Sequence, residues 1–162
     1  MKVLASVFKI AFGLSLALFV LSYTCRAQTT KATAMKNLID SGVYVFRAQS
    51  VMPMSGRVRQ LTTDDYTLKI TREKITSDLP YFGQAYTAPM DPTKTGIQFT
   101  SKDFSYTMTP RKKGGWDVLI KPKDYKDVQQ MTLTISSAGY ASLQVISNSR
   151  QAISFNGIVA AK

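Results

Sequence analysis

The chain has 162 residues and a formal net charge of +11, and it contains no histidine and a single cysteine. This length allows one domain with a core of its own. Without histidine the commonest general base and metal ligand is missing, which excludes Ser-His-Asp and Cys-His catalysis and nearly all zinc sites. The positive charge favours either attraction to anions, such as lipid headgroups and acidic glycans, or simple solubility.

The N-terminal segment is typical of a secretory signal peptide. Lys2 and Lys9 make its start positive, residues 10–21 are almost wholly apolar, and residues 22–28 are more polar. The apolar run is short for a bilayer span, which needs about 20 residues. We therefore predict an exported protein, periplasmic or secreted, with a membrane anchor as the alternative. Export also makes a nucleic-acid partner unexpected.

Small residues at the end of this segment predict where it is cut. Cys25 and Ala27 stand at the two positions that a signal peptidase reads before Gln28. The prediction is a signal peptide over residues 1–27 and a single β-rich domain over residues 28–162. Because the only cysteine leaves with the signal, the mature domain has no disulfide. The alternative is a lipoprotein anchored through Cys25, although Tyr23 and Thr24 fit a lipidation site poorly.

The first element after the signal is predicted to be a short helix over about residues 32–40. Ala34, Met35, Leu38 and Ile39 fall at helical spacing, and Gly42 suits a helix stop. A helix of this length is not stable alone, so it must pack on the rest of the domain.

From residue 43 onward the hydrophobic period changes to two, which is typical of strands with one buried and one solvated face. The alternating segments are residues 43–46, 66–71, 97–100, 104–109, 116–121, 131–136, 141–145 and 153–155. Tight turns separate several of them, such as residues 112–115 (KKGG) and 137–139 (SAG). The predicted fold is mainly β: an antiparallel meander of about eight strands that closes, wholly or in part, into a barrel.

The longest break, residues 79–95, begins with apolar and aromatic residues where a loop should be polar. Its candidate residues for a binding loop or a structural plug are Leu79, Pro80, Tyr81, Phe82, Gly83 and Tyr86. As a plug, Tyr81 and Phe82 would fill the end of the core, and we favour this because buried aromatics contribute much packing area. As a binding site, the loop would form an aromatic wall.

The same loop carries a family resemblance. Residues 78–85 (DLPYFGQA) resemble the signature of the family called domain of unknown function 4251, and matching pieces follow in order at residues 96–99, 103–104, 115–116, 136–139 and 149–158. The resemblance spans about residues 38–158. It implies exported envelope proteins of Bacteroidetes-type bacteria with no assigned catalytic residues.

The acidic residues read as turn and cap residues rather than as catalytic pairs. They are Asp40, Asp64, Asp65, Glu73, Asp78, Asp91, Asp103, Asp117, Asp124 and Asp127. A pair of carboxylates could still hydrolyse a glycoside. Asp64 and Asp65 lack the Asp-x-Asp-x-Asp-Gly loop that calcium sites use. We predict no metal, no cofactor and no catalytic residue.

Basic residues near loops are candidate anion contacts: Arg111, Lys112, Lys113 and Arg150. Lys121, Lys123 and Lys126 follow the next strand, and the two lysine groups would form an anion site only if they share one end of the sheet. Arg150 either braces a turn or holds a carboxylate or phosphate, and we favour the brace.

The leading functional hypothesis is a non-catalytic envelope protein that binds an apolar or anionic small molecule or lipid inside the barrel. The first alternative is an adaptor that docks on another envelope protein through the aromatic loop at residues 79–86. The second is a carboxylate-based glycoside hydrolase. A hollow interior favours the first hypothesis, and a solid core with an exposed aromatic patch favours the adaptor.

Overall fold

A computed structural model describes residues 31–62, 66–86 and 96–162. The predictions made for the signal peptide, for Cys25, for Asp64 and Asp65 and for Asp91 lie outside these residues. In the described part of the chain no helix combines the length and the hydropathy that crossing a bilayer requires.

The N-terminal helix, α1, is described over residues 31–41. It ends where the sequence predicts, because Gly42 adopts a φ of 68°, a left-handed conformation that favours glycine. The Gly42 amide donates to the Ile39 carbonyl over 3.0 Å. Ile39 is buried in the core of the sheet, and Met35 and Leu38 pack against that core. Tertiary packing therefore holds this short helix in place.

Within the described ranges, ten strands follow the helix in chain order. They are β1 (Tyr44–Pro53), β2 (Arg59–Gln60), β3 (Thr67–Ile70), β4 (Ile75–Leu79), β5 (Ile97–Ser101), β6 (Phe104–Pro110), β7 (Trp116–Pro122), β8 (Val128–Ile135), β9 (Tyr140–Ser147) and β10 (Ile153–Ala160).

The strands form one antiparallel sheet with the order β5-β4-β3-β1-β10-β9-β8-β7-β6, and β2 pairs with β1 beside this path. The sheet curls into a nearly closed barrel, so the predicted fold class is confirmed. Two strands, β2 and β4, are not predicted by the alternation of apolar and polar residues. The two-residue β2 is too short to show a period, and β4 carries a serine, Ser77, at a buried position that interrupts the apolar alternation.

The interior of the barrel is filled by side chains. Inward-facing residues of neighbouring strands form one hydrophobic cluster, and its largest fully buried members include Tyr44, Phe46, Leu68, Met131 and Phe155. The Tyr44 hydroxyl lies 2.9 Å from the hydroxyl of Tyr106 on β6, a strand that does not pair with β1. Burial raises the pKa of Tyr44, so this bond joins two neutral phenols across the core.

The loop that joins β7 to β8 contacts the edge strand β5 and the turn that leads from β5 to β6. In that loop the Asp124 carboxylate accepts hydrogen bonds from the Ser101 hydroxyl and from the Lys102 and Asp103 amides. The next residue, Tyr125, stacks on Phe99 of β5 with ring centroids 4.4 Å apart. These contacts hold the loop against the end of β5, where the sheet has no further strand.

Candidate functional site

Two loops that carry the family-like motifs meet at one rim of the barrel. Residues 80–86 follow β4, and residues 148–152 join β9 to β10. The Tyr86 amide donates to the Ser149 carbonyl over 2.8 Å, and the Gln151 amide donates to the Gln84 carbonyl over 3.1 Å. Ala85 forms an isolated bridge with Arg150. Two motifs that are far apart in the sequence thus make a single structural unit.

Tyr81 joins this pair of loops to the core of the barrel. Its half-buried ring packs against the core, and its hydroxyl lies 2.8 Å from the Gln84 carbonyl and 3.1 Å from that of Gln151. Burial raises the pKa of the Tyr81 hydroxyl, which keeps it a donor. A Cβ at Gly83 would lie 2.5 Å from the hydroxyl oxygen, so the loop needs glycine for this close approach. The structure thus places the Tyr81 ring against the core, and its role as a plug stays a prediction.

Arg150 ties the rim together. Its side chain is only 10% exposed, with Nε 3.6 Å from an Asp127 carboxylate oxygen. A second guanidinium nitrogen donates to the Gly96 carbonyl over 3.0 Å, and the guanidinium lies 5.2 Å from the Tyr81 ring centroid. These contacts join the starts of β5 and β8 to the aromatic loop, which is the arrangement of a brace. A ligand anion would have to compete with them.

The other aromatic residues of the loop face solvent. Phe82 is 39% exposed and Tyr86 is 70% exposed, so these two side chains do not fill the core. The guanidinium of Arg59, on β2, lies 4.9 Å from the Phe82 ring centroid. This cation–π contact joins the aromatic loop to the hairpin formed by β1 and β2.

That hairpin exposes further apolar side chains. Met52, Met54 and Val58 are all exposed, and Met54 reaches 75%. Of the six exposed large hydrophobic residues in the described part of the chain, five lie on the hairpin or on the aromatic loop. We call these five the rim patch, which consists of Met52, Met54, Val58, Phe82 and Tyr86.

The charge around the rim patch is positive on the hairpin side. Arg57 and Arg59 are exposed there, and the sequence from residue 51 to residue 62 contains no acidic residue. Since Arg59 already lies over Phe82, the patch combines aromatic rings, methionines and guanidinium groups. That composition is enriched at protein interfaces.

The predicted anion contacts do not come together. Arg111, Lys112 and Lys113 crown the β6–β7 hairpin, where Trp116 of β7 pairs with Ile135. Arg150 lies after β9, at the opposite end of the same strands, as do Lys121, Lys123 and Lys126 after or near the end of β7. The two lysine groups therefore do not share one end of the sheet. Arg111 also pairs with Asp117 at 3.5 Å.

Most of the described acidic residues make contacts of the kind expected for turns and strand pairs. Asp78 accepts from the Gln98 amide, Asp103 pairs with Lys123, and Asp127 accepts from the Ser149 hydroxyl. Over residues 31–62, 66–86 and 96–162, no group of three metal-ligating side chains occurs.

The hairpin half of the rim patch was missed by the sequence reasoning. Residues 52–56 read as an ordinary loop, whereas β1 extends to Pro53 and carries Met52 on its exposed face. The signal available was chemical: two methionines and a valine in a segment with turn residues, where polar side chains are usual.

Comparison with known proteins identifies the same family as the motifs. The family model described as "Domain of unknown function (DUF4251)" matches residues 26–159. Among solved structures, the chain is similar to a DUF4251 family protein from Bacteroides eggerthii, with 16% sequence identity and a TM-score of 0.58. The alignment covers 83% of this chain and 88% of that one. At this identity the likeness shows the fold alone. None of the curated proteins matches the sequence.

Proposed function

The chain belongs to the DUF4251 family, as its motifs predict, and we propose that it is a non-catalytic exported envelope protein that docks another protein through the rim patch. The predicted signal peptide supports export. The Bacteroides relative supports a bacterial setting for the family. We prefer docking through the rim to binding of a ligand inside the barrel because of the geometry of the barrel.

One observation carries the proposal: the core is filled while the rim exposes its apolar side chains. Inward-facing residues such as Phe46 and Phe155 occupy the barrel interior, where the leading sequence hypothesis needed a ligand cavity. Met54 and Tyr86, by contrast, are exposed on two segments held together by the Arg59–Phe82 contact. Soluble monomers seldom expose concentrated apolar side chains without a binding role.

The chemistry of the rim patch selects the kind of partner. Arg57 and Arg59 supply exposed positive charge, and no acidic residue balances it within the hairpin. Methionine side chains adapt to varied apolar shapes, and tyrosine and arginine are frequent binding anchors. The partner that fits is a protein surface with apolar side chains beside carboxylates, because such a surface complements both the patch and its charge.

The proposal assigns no catalytic role to any residue. Histidine is absent from the sequence, and the only cysteine precedes the predicted cleavage point. Asp124 and Asp127 already accept hydrogen bonds within the chain, so these carboxylates are committed to structural contacts. The basic rim is therefore proposed as a binding surface alone.

The test is site-specific photo-crosslinking in the native envelope. A photoreactive amino acid at Met54 is expected to give one discrete adduct with another envelope protein, because Met54 is the most exposed member of the patch. The matched control places the same group at Tyr140, which is 69% exposed but belongs to β9 and not to the rim. That position is expected not to give this adduct.

The adduct must also depend on the patch. Adding Phe82→Ala and Tyr86→Ala to the Met54 probe is expected to abolish it. An adduct that survives these changes, or that forms equally from position 140, would contradict docking through the rim patch. Adducts with lipid alone, or with a second copy of the chain alone, would also contradict it.

A second candidate function has its own observation. A cleft of about 450 Å³ lies between α1 and the end of β10, lined by Lys31, Met35, Leu38 and Val159 among others. Apolar walls with one cationic side chain suit an apolar or anionic small molecule, including a lipid. Unlike the barrel interior, this cleft is open.

This candidate is tested with a fluorescent fatty-acid probe. Ala34 lines the cleft and is exposed, so Ala34→Trp is expected to fill it and to lower probe binding. The control is Lys36→Trp, because Lys36 is exposed and is not among the cleft residues. Equal binding by both variants and the wild type would remove this cleft as a ligand site.

A further inference from the structure

A second surface lies on the outer face of the barrel and shares no residue with the rim patch. A cleft of about 360 Å³ is formed there by residues of β1, β8, β9 and β10 together with the β6–β7 hairpin. Its volume is within the range of small-ligand sites, which is roughly 300–1,000 Å³. Six of its lining residues carry the argument: Gln49, Arg111, Thr134, Tyr140, Ser142 and Asn156.

The floor of the cleft is a row of hydrogen-bonding side chains at matched register. Thr134 on β8 is opposite Ser142 on β9, and Ser142 is opposite Asn156 on β10. Side chains opposite each other on neighbouring strands are about 5 Å apart. Within the described residues, Ser142 and Asn156 make no side-chain hydrogen bond to another protein group. A row of this kind can bind several hydroxyl groups of one extended ligand.

A buried hydroxyl beside the row lacks a partner. Ser136 is among the residues that line the same cleft, but its Oγ atom is shielded from solvent and forms no hydrogen bond with a described group. Buried hydroxyls are nearly always hydrogen-bonded in native proteins. Because the Ser136 Oγ atom is shielded from solvent, the exposed side chains of the row, and not this hydroxyl, are the groups that a ligand can reach.

Tyr140 adds an aromatic platform at the edge of the cleft. Tyr140 is the first residue of β9, and it is 69% exposed. Its backbone carbonyl accepts a hydrogen bond from the Ser136 amide over 2.8 Å. The backbone of Tyr140 is thus fixed while its ring remains available. An exposed tyrosine ring can pack against the C–H face of a sugar while polar neighbours bind the sugar hydroxyls.

The charge of the cleft selects a neutral ligand. Arg111 supplies positive charge at the wall, but Asp117 lies 3.5 Å from its Nε atom and offsets that charge. Asp117 also accepts from Thr134 over 2.7 Å, so it is held beside the row. The hydroxyl and amide groups of the cleft are uncharged, and the Arg111 charge is offset by Asp117. The cleft as a whole therefore does not favour an anionic ligand.

The geometry points to a glycan-binding site: Tyr140, Asn156, Ser142 and Gln49 bind a segment of a neutral oligosaccharide on the outer face of the barrel. This site is separate from the rim patch and does not depend on the docking function. It assigns a hydroxyl-rich ligand to a surface that the family signature residues 78–85 do not touch.

The test is an array of neutral and acidic oligosaccharides probed with the mature domain. Binding to at least one neutral glycan is expected, and Tyr140→Ala and Asn156→Ala are each expected to weaken it about tenfold or more, as loss of one good contact does. Both residues are exposed, so melting temperatures close to wild type should show that the variants fold.

The matched control is Tyr86→Ala, which removes an equally exposed tyrosine from the rim and is expected to leave glycan binding unchanged. Three results would overturn the inference: no neutral glycan bound, binding confined to acidic glycans, or neutral-glycan binding that Tyr140→Ala and Asn156→Ala do not weaken. The rim-patch crosslinking is scored separately, so failure of one proposal is distinguishable from failure of the other.

Discussion

Tyr81 and Phe82 are adjacent in the sequence but occupy opposite environments. Tyr81 packs on the core and hydrogen-bonds to two loop carbonyls, whereas Phe82 lies at the surface under the Arg59 guanidinium. The next residue, Gly83, lets the backbone approach the Tyr81 hydroxyl closely. Tyr81 thus contacts the core and the loop backbone, whereas its neighbour Phe82 is exposed at the surface.

This difference predicts how substitutions at the two positions affect stability. Tyr81→Ala is expected to lower the free energy of unfolding by about 2–4 kcal/mol, because it removes a half-buried ring and its hydrogen bonds. Phe82→Ala is expected to cost about 1 kcal/mol or less, since the ring is exposed. Denaturant melts of purified mature protein measure both values.

The control for these melts is Leu133→Ala, at a fully buried position of β8, which is expected to cost about 2–5 kcal/mol. If Tyr81→Ala melts like the wild type while Leu133→Ala does not, Tyr81 is not a plug. The whole loop would then be free to serve as a binding segment.

At the scale of single elements, the β5–β6 edge depends on one carboxylate. The hydrogen bond from the Ser101 hydroxyl, followed by that from the Lys102 amide, lowers the pKa of Asp124 from 3.8 to about 2. A carboxyl group whose pKa is lower in the folded state stabilises the fold while it is ionised. Its contribution is present above the ordinary pKa and is lost as the pH falls from about 4 to about 2.

We therefore expect the stability difference between wild type and Asp124→Asn to depend on pH. The wild type should exceed the variant at about pH 6, and the difference should shrink as the pH is lowered to about 2, where the folded-state carboxylate becomes protonated. Denaturant melts at the two pH values measure it. Asp40→Asn is the control, because Asp40 makes only an exposed pair with Lys36 in α1. A difference for Asp124→Asn that does not change with pH would contradict this account.

Elements with a clear hydrophobic period could be predicted from the sequence, and the others could not. Leu133, Leu143 and Phe155 alternate with polar residues on β8, β9 and β10, and all three are buried. On β4 the inward position between Ile75 and Leu79 is Ser77, whose hydroxyl donates to the Ile97 carbonyl over 2.8 Å. A buried serine whose hydroxyl bonds to the neighbouring strand β5 leaves no periodic signal in the sequence.

The candidate site shows the same division. The aromatic loop stands out because its composition is unusual for a loop, so its residues could be singled out from the sequence. The meeting of Phe82 with Arg59 could not, since it depends on how β1, β2 and the segment after β4 are arranged around the barrel. The sequence around either residue does not predict that the two side chains are in contact.

At the scale of the whole molecule, the mature domain should need no covalent or metal support. We expect the same melting temperature with and without reductant and chelator, because the predicted mature chain has no cysteine and no histidine. Thermal melts under the three conditions check this. A marked drop with chelator would reveal a site of oxygen ligands, with Asp64 and Asp65 as the first positions to substitute.

Cleavage of the predicted signal peptide, or lipidation at Cys25, determines where the protein is located. We expect the mature protein to begin at Gln28 and to carry no lipid, because Cys25 and Ala27 supply the small residues that the peptidase reads. Intact-mass measurement of protein from the native envelope decides between the alternatives. A mass that corresponds to an acylated Cys25 would place the protein on a membrane and contradict the soluble form.

The central claim is that this barrel has a solid core and acts through its rim, and one double variant tests it most directly. In the mature protein, Phe82→Ala combined with Tyr86→Ala should leave the free energy of unfolding within about 1–2 kcal/mol of wild type. In the native envelope the same variant should lose the partner adduct formed by a photoreactive group at Met54. Retention of the adduct at wild-type yield by a stably folded double variant would contradict the claim.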